Sequence, residues 1–149
     1  MRAIIIITTL GALAAAIAAP RAFASDEQIL GDWMTPGDAA RIRIADCPAQ
    51  PSRLCGTIVW LKEPNQKDGR PRRDLANPQP GLRTRPILGM AMLVDLEMAG
   101  PGRWTGGAIY DPATGRTYRS TASAGADGTL RVEGCRLMIC QGQRWTRGH

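Results

Sequence analysis

The chain has 149 residues, 44% of them hydrophobic, with 19 basic and 13 acidic side chains, four Cys and one His. The lone His is the last residue, His149, so Ser–His and Cys–His catalysis lack a usable base. No Gly-x-Ser-x-Gly elbow or Walker loop is present, and no enzyme and no cofactor are expected.

The first 24 residues have the grammar of a cleaved signal peptide. Arg2 supplies the positive start, Ala3 to Ala19 is almost wholly apolar, and Ala22-Phe23-Ala24 offers the small-x-small pattern read by signal peptidase. The expected mature domain is therefore 25–149, periplasmic or secreted, with no transmembrane segment of its own. Removing Arg2 and Arg21 leaves 17 basic side chains against 13 acidic ones, a net charge of +4. Export argues against nucleic acid as a partner despite the basic balance. Cys47, Cys55, Cys135 and Cys140 all fall in the exported part, where an even count reads as disulfides with three connectivities. Proximity favours Cys47–Cys55 and Cys135–Cys140. Without a Cys-x-x-Cys pair or an internal His, no metal site is expected.

Along the mature chain helical periodicity is nearly absent, and period-two alternation and turn residues predict eight strands. Ile29 to Thr35 is the first. Pro36-Gly37-Asp38 turns the chain into Ala40 to Ile44, where Ile42 and Ile44 alternate with Arg41 and Arg43. After a loop between Cys47 and Cys55, Leu54 to Leu61 is rich in β-branched and aromatic residues. A polar segment, Lys62 to Pro86, follows with five Pro. Ile87 to Met98 reads as the longest strand, with Leu88, Met90, Met92, Val94 and Leu96 on one inward face. Gly100-Pro101-Gly102 and Asp111-Pro112 bracket Arg103 to Tyr110. Arg116 to Ala124, Thr129 to Glu133 and Gln141 to Arg147 complete the set.

Eight short strands joined mainly by tight turns predict an all-β, antiparallel up-and-down barrel, with a sandwich as the runner-up. In such a meander the connections alternate between ends. The Pro36 turn, the 62–86 segment, the Asp111 turn and the Cys135 to Cys140 loop then share one mouth. Segment 62–86 carries seven basic and three acidic residues, so its net charge equals that of the whole mature chain. Two functional readings follow. In the first, the barrel holds a small apolar or amphiphilic ligand with an anionic group. Arg83, Arg85, Tyr110 and Asp111 would be its polar contacts, Trp60 a cap, and Met90 and Met92 part of an adaptable apolar wall. In the second, a filled barrel is a non-catalytic interaction module that docks on an anionic component of the cell envelope through the basic loop.

Gly31-Asp32-Trp33 and Arg147 resemble the Gly-x-Trp and late Arg of lipocalin-like barrels, which implies that Gly31, Trp33 and Arg147 close one end. Arg144 is an alternative for the Arg. The stretches Ile29 to Trp33, Leu54 to Leu61, Asn77-Pro78, Leu82 to Pro86, Gly106 to Pro112, Gly115 to Tyr118 and Gln143 to Arg147 together resemble the exported bacterial family called domain of unknown function 2147. That resemblance implies a lipocalin-like barrel in the cell envelope and assigns no catalytic residue.

Overall fold

The computed structural model describes residues 28–149; the expected signal peptide lies outside them. Eight antiparallel strands form one closed barrel in chain order: β1 (Gly31–Met34), β2 (Ala40–Cys47), β3 (Gln50–Leu61), β4 (Ala91–Gly100), β5 (Arg103–Asp111), β6 (Arg116–Ala124), β7 (Leu130–Arg136) and β8 (Ile139–Arg147). The ring is sealed by β1 and β8, with Trp33 opposite Arg147 and Met34 opposite Thr146. Closure leaves no long sheet edge exposed, which is how an all-β chain of this size avoids edge-to-edge association. No helix among the described residues is long and apolar enough to cross a membrane.

Two disulfides join Cys47 to Cys55 and Cys135 to Cys140. Each clamps a hairpin rather than the open loop expected between the cysteines. Cys47 lies opposite Gln50, so β3 already runs through Cys55, and Cys135 lies directly opposite Cys140.

The interior is filled from one end. Trp33, Trp104 and Trp145 are buried together with Ile29, Ile42, Ile44, Leu54, Leu93, Leu96 and Leu130. Trp33 donates its indole N–H to the Ile29 carbonyl at 2.7 Å. Across its ring lies the Arg147 guanidinium, 4.0 Å from the ring centroid, which also donates to the carbonyls of Leu30 and Gln28 at 2.7 Å each. Arg147, not Arg144, therefore closes this end; Arg144 instead pairs with Asp127.

The expected inward row on the fourth strand is corrected. Strict alternation needs an unbroken pleat, and β4 does not have one. Its pairing with β3 shifts register on both sides of Gly56, and Asp95 takes a positive φ of 58°. Leu93, which strict alternation would turn outward, is buried with Met90 and Leu96, while Met92 and Val94 are half-buried. Leu88 precedes the strand and is 46% exposed. β3, at twelve residues, is the longest strand.

Candidate functional site

The pairing of β5 to β8 explains where the barrel is hollow. From the closed end upward, Leu130 faces Trp145, Val132 faces Gln143, and Gly134 faces Gln141. On the neighbouring strands the last of these rungs continues through Ser120 to Gly107. Large side chains fill the lower rungs, whereas the third sets Gly134, Ser120 and Gly107 beside Gln141. A Cβ on Gly134 would stand 3.2 Å from Ile109 and 3.3 Å from Tyr118, so Gly is what lets these two side chains approach β7. Above the Trp-filled floor the interior opens into a cavity of about 240 Å³. Met92, Ile109 and Val132 form its apolar wall; Tyr118, Gln141 and Gln143 bring polar groups; Tyr110, Asp111 and Pro112 form the rim. Gln143 Oε1 accepts the Trp145 indole N–H at 3.0 Å, which orients its amide. The Ser120 hydroxyl is buried without a hydrogen-bond partner among the described residues.

The long connection between β3 and β4 is folded onto this mouth. Isolated bridges pair Asn65 with Pro71 and Arg73 with Pro86, and the Arg72 and Ile87 backbones are tied by a 3.0 Å hydrogen bond. The Lys62 ammonium reaches the Gly37 carbonyl, which places the loop beside the Pro36 turn as the meander requires.

At the centre of the loop is Asp74, which is fully buried. Its carboxylate accepts from Tyr110 Oη at 2.6 Å, Asn77 Nδ2 at 2.7 Å, Arg85 Nη2 at 2.8 Å and Arg85 Nε at 2.9 Å. Burial pushes the Asp74 carboxyl upward, but the Tyr110, Asn77 and Arg85 hydrogen bonds outweigh it and hold the group below the ordinary carboxylate value. The same arrangement raises the Tyr110 phenol, through burial first, then its hydrogen bond to Asp74 and the charge of that carboxylate. The Arg85 guanidinium also lies 5.7 Å from the Tyr110 ring centroid.

Of the expected site residues, Met92, Tyr110 and Asp111 line the cavity. Asp111 spends both carboxylate oxygens on its own turn, accepting from the Ala113 N–H and the Thr114 hydroxyl. Arg85 is committed to Asp74, and Met90 is core. Trp60 is 38% exposed and does not line the cavity. Arg83 donates its Nε to the Asn77 carbonyl at 2.8 Å. Asp74 was hidden in the sequence among the loop's charges, although Asn77, three residues on, belongs to a stretch that carries the family resemblance. Elsewhere in the loop Arg70 pairs with Asp68 and Arg72 with Glu63. The segment's excess charge therefore rests on Lys62, Lys67, Arg73 and Arg83. Among the described residues, no three His, Cys, Asp or Glu converge as metal ligands would.

A closed eight-strand meander, sealed at one end by Trp and Arg and hollow at the other, defines a lipocalin-like barrel. The chain belongs to the bacterial family described as "Uncharacterized protein conserved in bacteria (DUF2147)", whose model matches residues 31–147. Among solved structures it is similar to protein HP1028 from Helicobacter pylori, described as belonging to the lipocalin family. The TM-score is 0.68 at 19% sequence identity, over 80% of this chain and 82% of that one. At that identity the likeness shows the shared fold. No curated protein matches the chain.

Proposed function

We propose that this is an exported, non-catalytic binding barrel whose mouth-side cavity takes a small amphiphile. The ligand's apolar part lies against Met92, Ile109 and Val132, and its polar end meets Gln141, Gln143 and Tyr118. An anionic group, if carried, points out of the cavity toward Arg83. The observation that supports this reading is the cavity itself, walled by Met92, Ile109 and Val132 and bearing Tyr118, Gln141 and Gln143, above a floor that is otherwise tightly filled. The lining is uncharged apart from Asp111, whose oxygens are already taken, so any anion must be met from the loop. The signal-peptide pattern of residues 1–24 and the two disulfides support an exported, periplasmic or secreted setting.

Calorimetric titration with octanoate and octanol tests this. Both should bind, and Ile109→Trp, which fills the cavity, should weaken both at least about tenfold, the loss of a few buried methylenes. Arg83→Ala should weaken octanoate about fivefold, one weak ion pair, and leave octanol unchanged. Arg85 is left intact because its removal would strip a partner from buried Asp74. If neither probe binds, or Ile109→Trp changes nothing, the cavity is not the site.

A further inference from the structure

The tip of the β7–β8 hairpin has a composition unlike any other turn in the molecule. Arg136 faces Ile139, which leaves Leu137 and Met138 as a two-residue turn. These three consecutive large apolar side chains are the most exposed in the described chain: Leu137 86%, Met138 97% and Ile139 73%. A tip of this kind is normally Asn-Gly, Asp-Gly or Gly-x. Leu137 instead takes a positive φ of 55°, a conformation that disfavours a bulky side chain and favours Gly. A Leu strained where Gly would fit without cost, and exposed rather than buried, is a feature the fold itself does not require. The Cys135–Cys140 disulfide directly beneath makes the tip a stiff projection.

The charge around the tip identifies the surface it fits. The connections at this end of the barrel carry seven basic and four acidic residues. Three of those acids, Glu63, Asp68 and Asp74, are already paired with Arg72, Arg70 and Arg85. The described connections at the opposite end carry only Asp127. From Gly134 to His149 there is no acidic residue, and Arg136 adjoins the tip. An apolar point set in a cationic face is complementary to an anionic lipid surface: the apolar residues enter the acyl boundary and the basic ones meet the headgroups. A protein partner would need a matching cavity, whereas a bilayer accepts an unpatterned point.

We propose that the chain docks on anionic bilayers by inserting Leu137, Met138 and Ile139, with Arg136 and the free cations of the 62–86 loop on the headgroups. The tip adjoins the Gly134–Gln141 rung, so docking turns the cavity mouth toward the membrane. This goes beyond ligand capture, and its test does not require an occupied cavity. Failure here would leave the octanoate result standing, and the reverse.

Flotation of the disulfide-bonded protein with phosphatidylethanolamine vesicles, with and without phosphatidylglycerol, reads the docking directly. Binding should require the anionic lipid and fall as salt rises from 0.1 to 0.5 M. Leu137→Ser with Met138→Ser and Ile139→Ser should weaken it at least about thirtyfold, since three apolar side chains no longer enter the acyl region. Arg136→Ala should cost about fivefold, the contribution of one basic residue near an anionic surface. Leu137→Gly separates docking from folding, because it relieves the positive φ and should keep or raise Tm while weakening vesicle binding. The proposal is overturned if wild-type protein ignores anionic vesicles, if the triple variant binds equally well, or if sedimentation shows that the tip serves a dimer of this chain instead.

Discussion

Replacing Asp74 with alanine removes one acceptor and strands three donors. Tyr110 Oη, Asn77 Nδ2 and the Arg85 guanidinium all lose the same carboxylate, which is fully buried. A hydrogen bond to a charged group contributes about 1.5–3 kcal/mol. The Arg85 side chain is 36% exposed and can turn to water, so its share falls below about 1 kcal/mol. Tyr110 and Asn77 are less free, and the three losses are not additive, which puts the change at about 3 kcal/mol. For a domain of this size that lowers Tm by about 12 °C. If the loop instead opens while the barrel persists, Tm moves less and trypsin gains access to Arg72 and Arg73. Circular dichroism melts read the first outcome and timed tryptic digestion the second. A Tm within about 2 °C of wild type together with unchanged tryptic resistance would refute the idea that Asp74 anchors the loop.

The same cluster sets a pH signature. Asp74 is held below its ordinary value of 3.8, so its contribution is complete above that pH and is lost as pH falls through the lower folded value. Tyr110 is raised above 10.0, so the neutral phenol is the favoured form, and its contribution holds below pH 10.0 and is lost as pH rises through the higher folded value. Wild-type stability should therefore decline at both extremes. Tyr110→Phe should flatten the alkaline limb and leave part of the acid limb.

Arg147→Lys keeps the charge but gives up the fork that spans Leu30 and Gln28 and the flat face over Trp33; urea unfolding should show a loss of about 1–2 kcal/mol. Gly115→Ala combines a φ of 68° with a Cβ that would sit on the Ala76 carbonyl, so it should displace the loop and cost more than about 2 kcal/mol, read as new tryptic cleavage at Arg72 or Arg73. Each disulfide closes only a short loop, so paired Cys→Ser replacement at either should cost about 2 kcal/mol, measured as a shift in the urea midpoint.

How much of this was legible beforehand depended on whether a signal was local. Strand number, chain-order pairing and both disulfides could be read because turn residues, alternation and Cys proximity act within a few residues. The Trp33–Arg147 closure was legible only through resemblance, since nothing local links residues 114 positions apart. The interior face of β4 was misread because register shifts around Gly56 and the turn of backbone at Asp95 carry no compositional mark. Asp74 was counted as one more loop charge. Its burial arises only when β5 brings Tyr110 against the loop, a contact spanning 36 residues. For the same reason Arg85 was expected to face a ligand and is instead held by its own chain, while Gly134 and Gln141, which line the cavity, look unremarkable as letters.

The account stands on the hollow upper half of the barrel being a place that something occupies. Native mass spectrometry of protein released gently from the cells that make it, without refolding, addresses that directly. It should show a small-molecule adduct that disappears on mild activation and is absent from Ile109→Trp. A wild-type spectrum containing only the bare, disulfide-bonded chain, together with the same bare mass after incubation with excess octanoate, would contradict it.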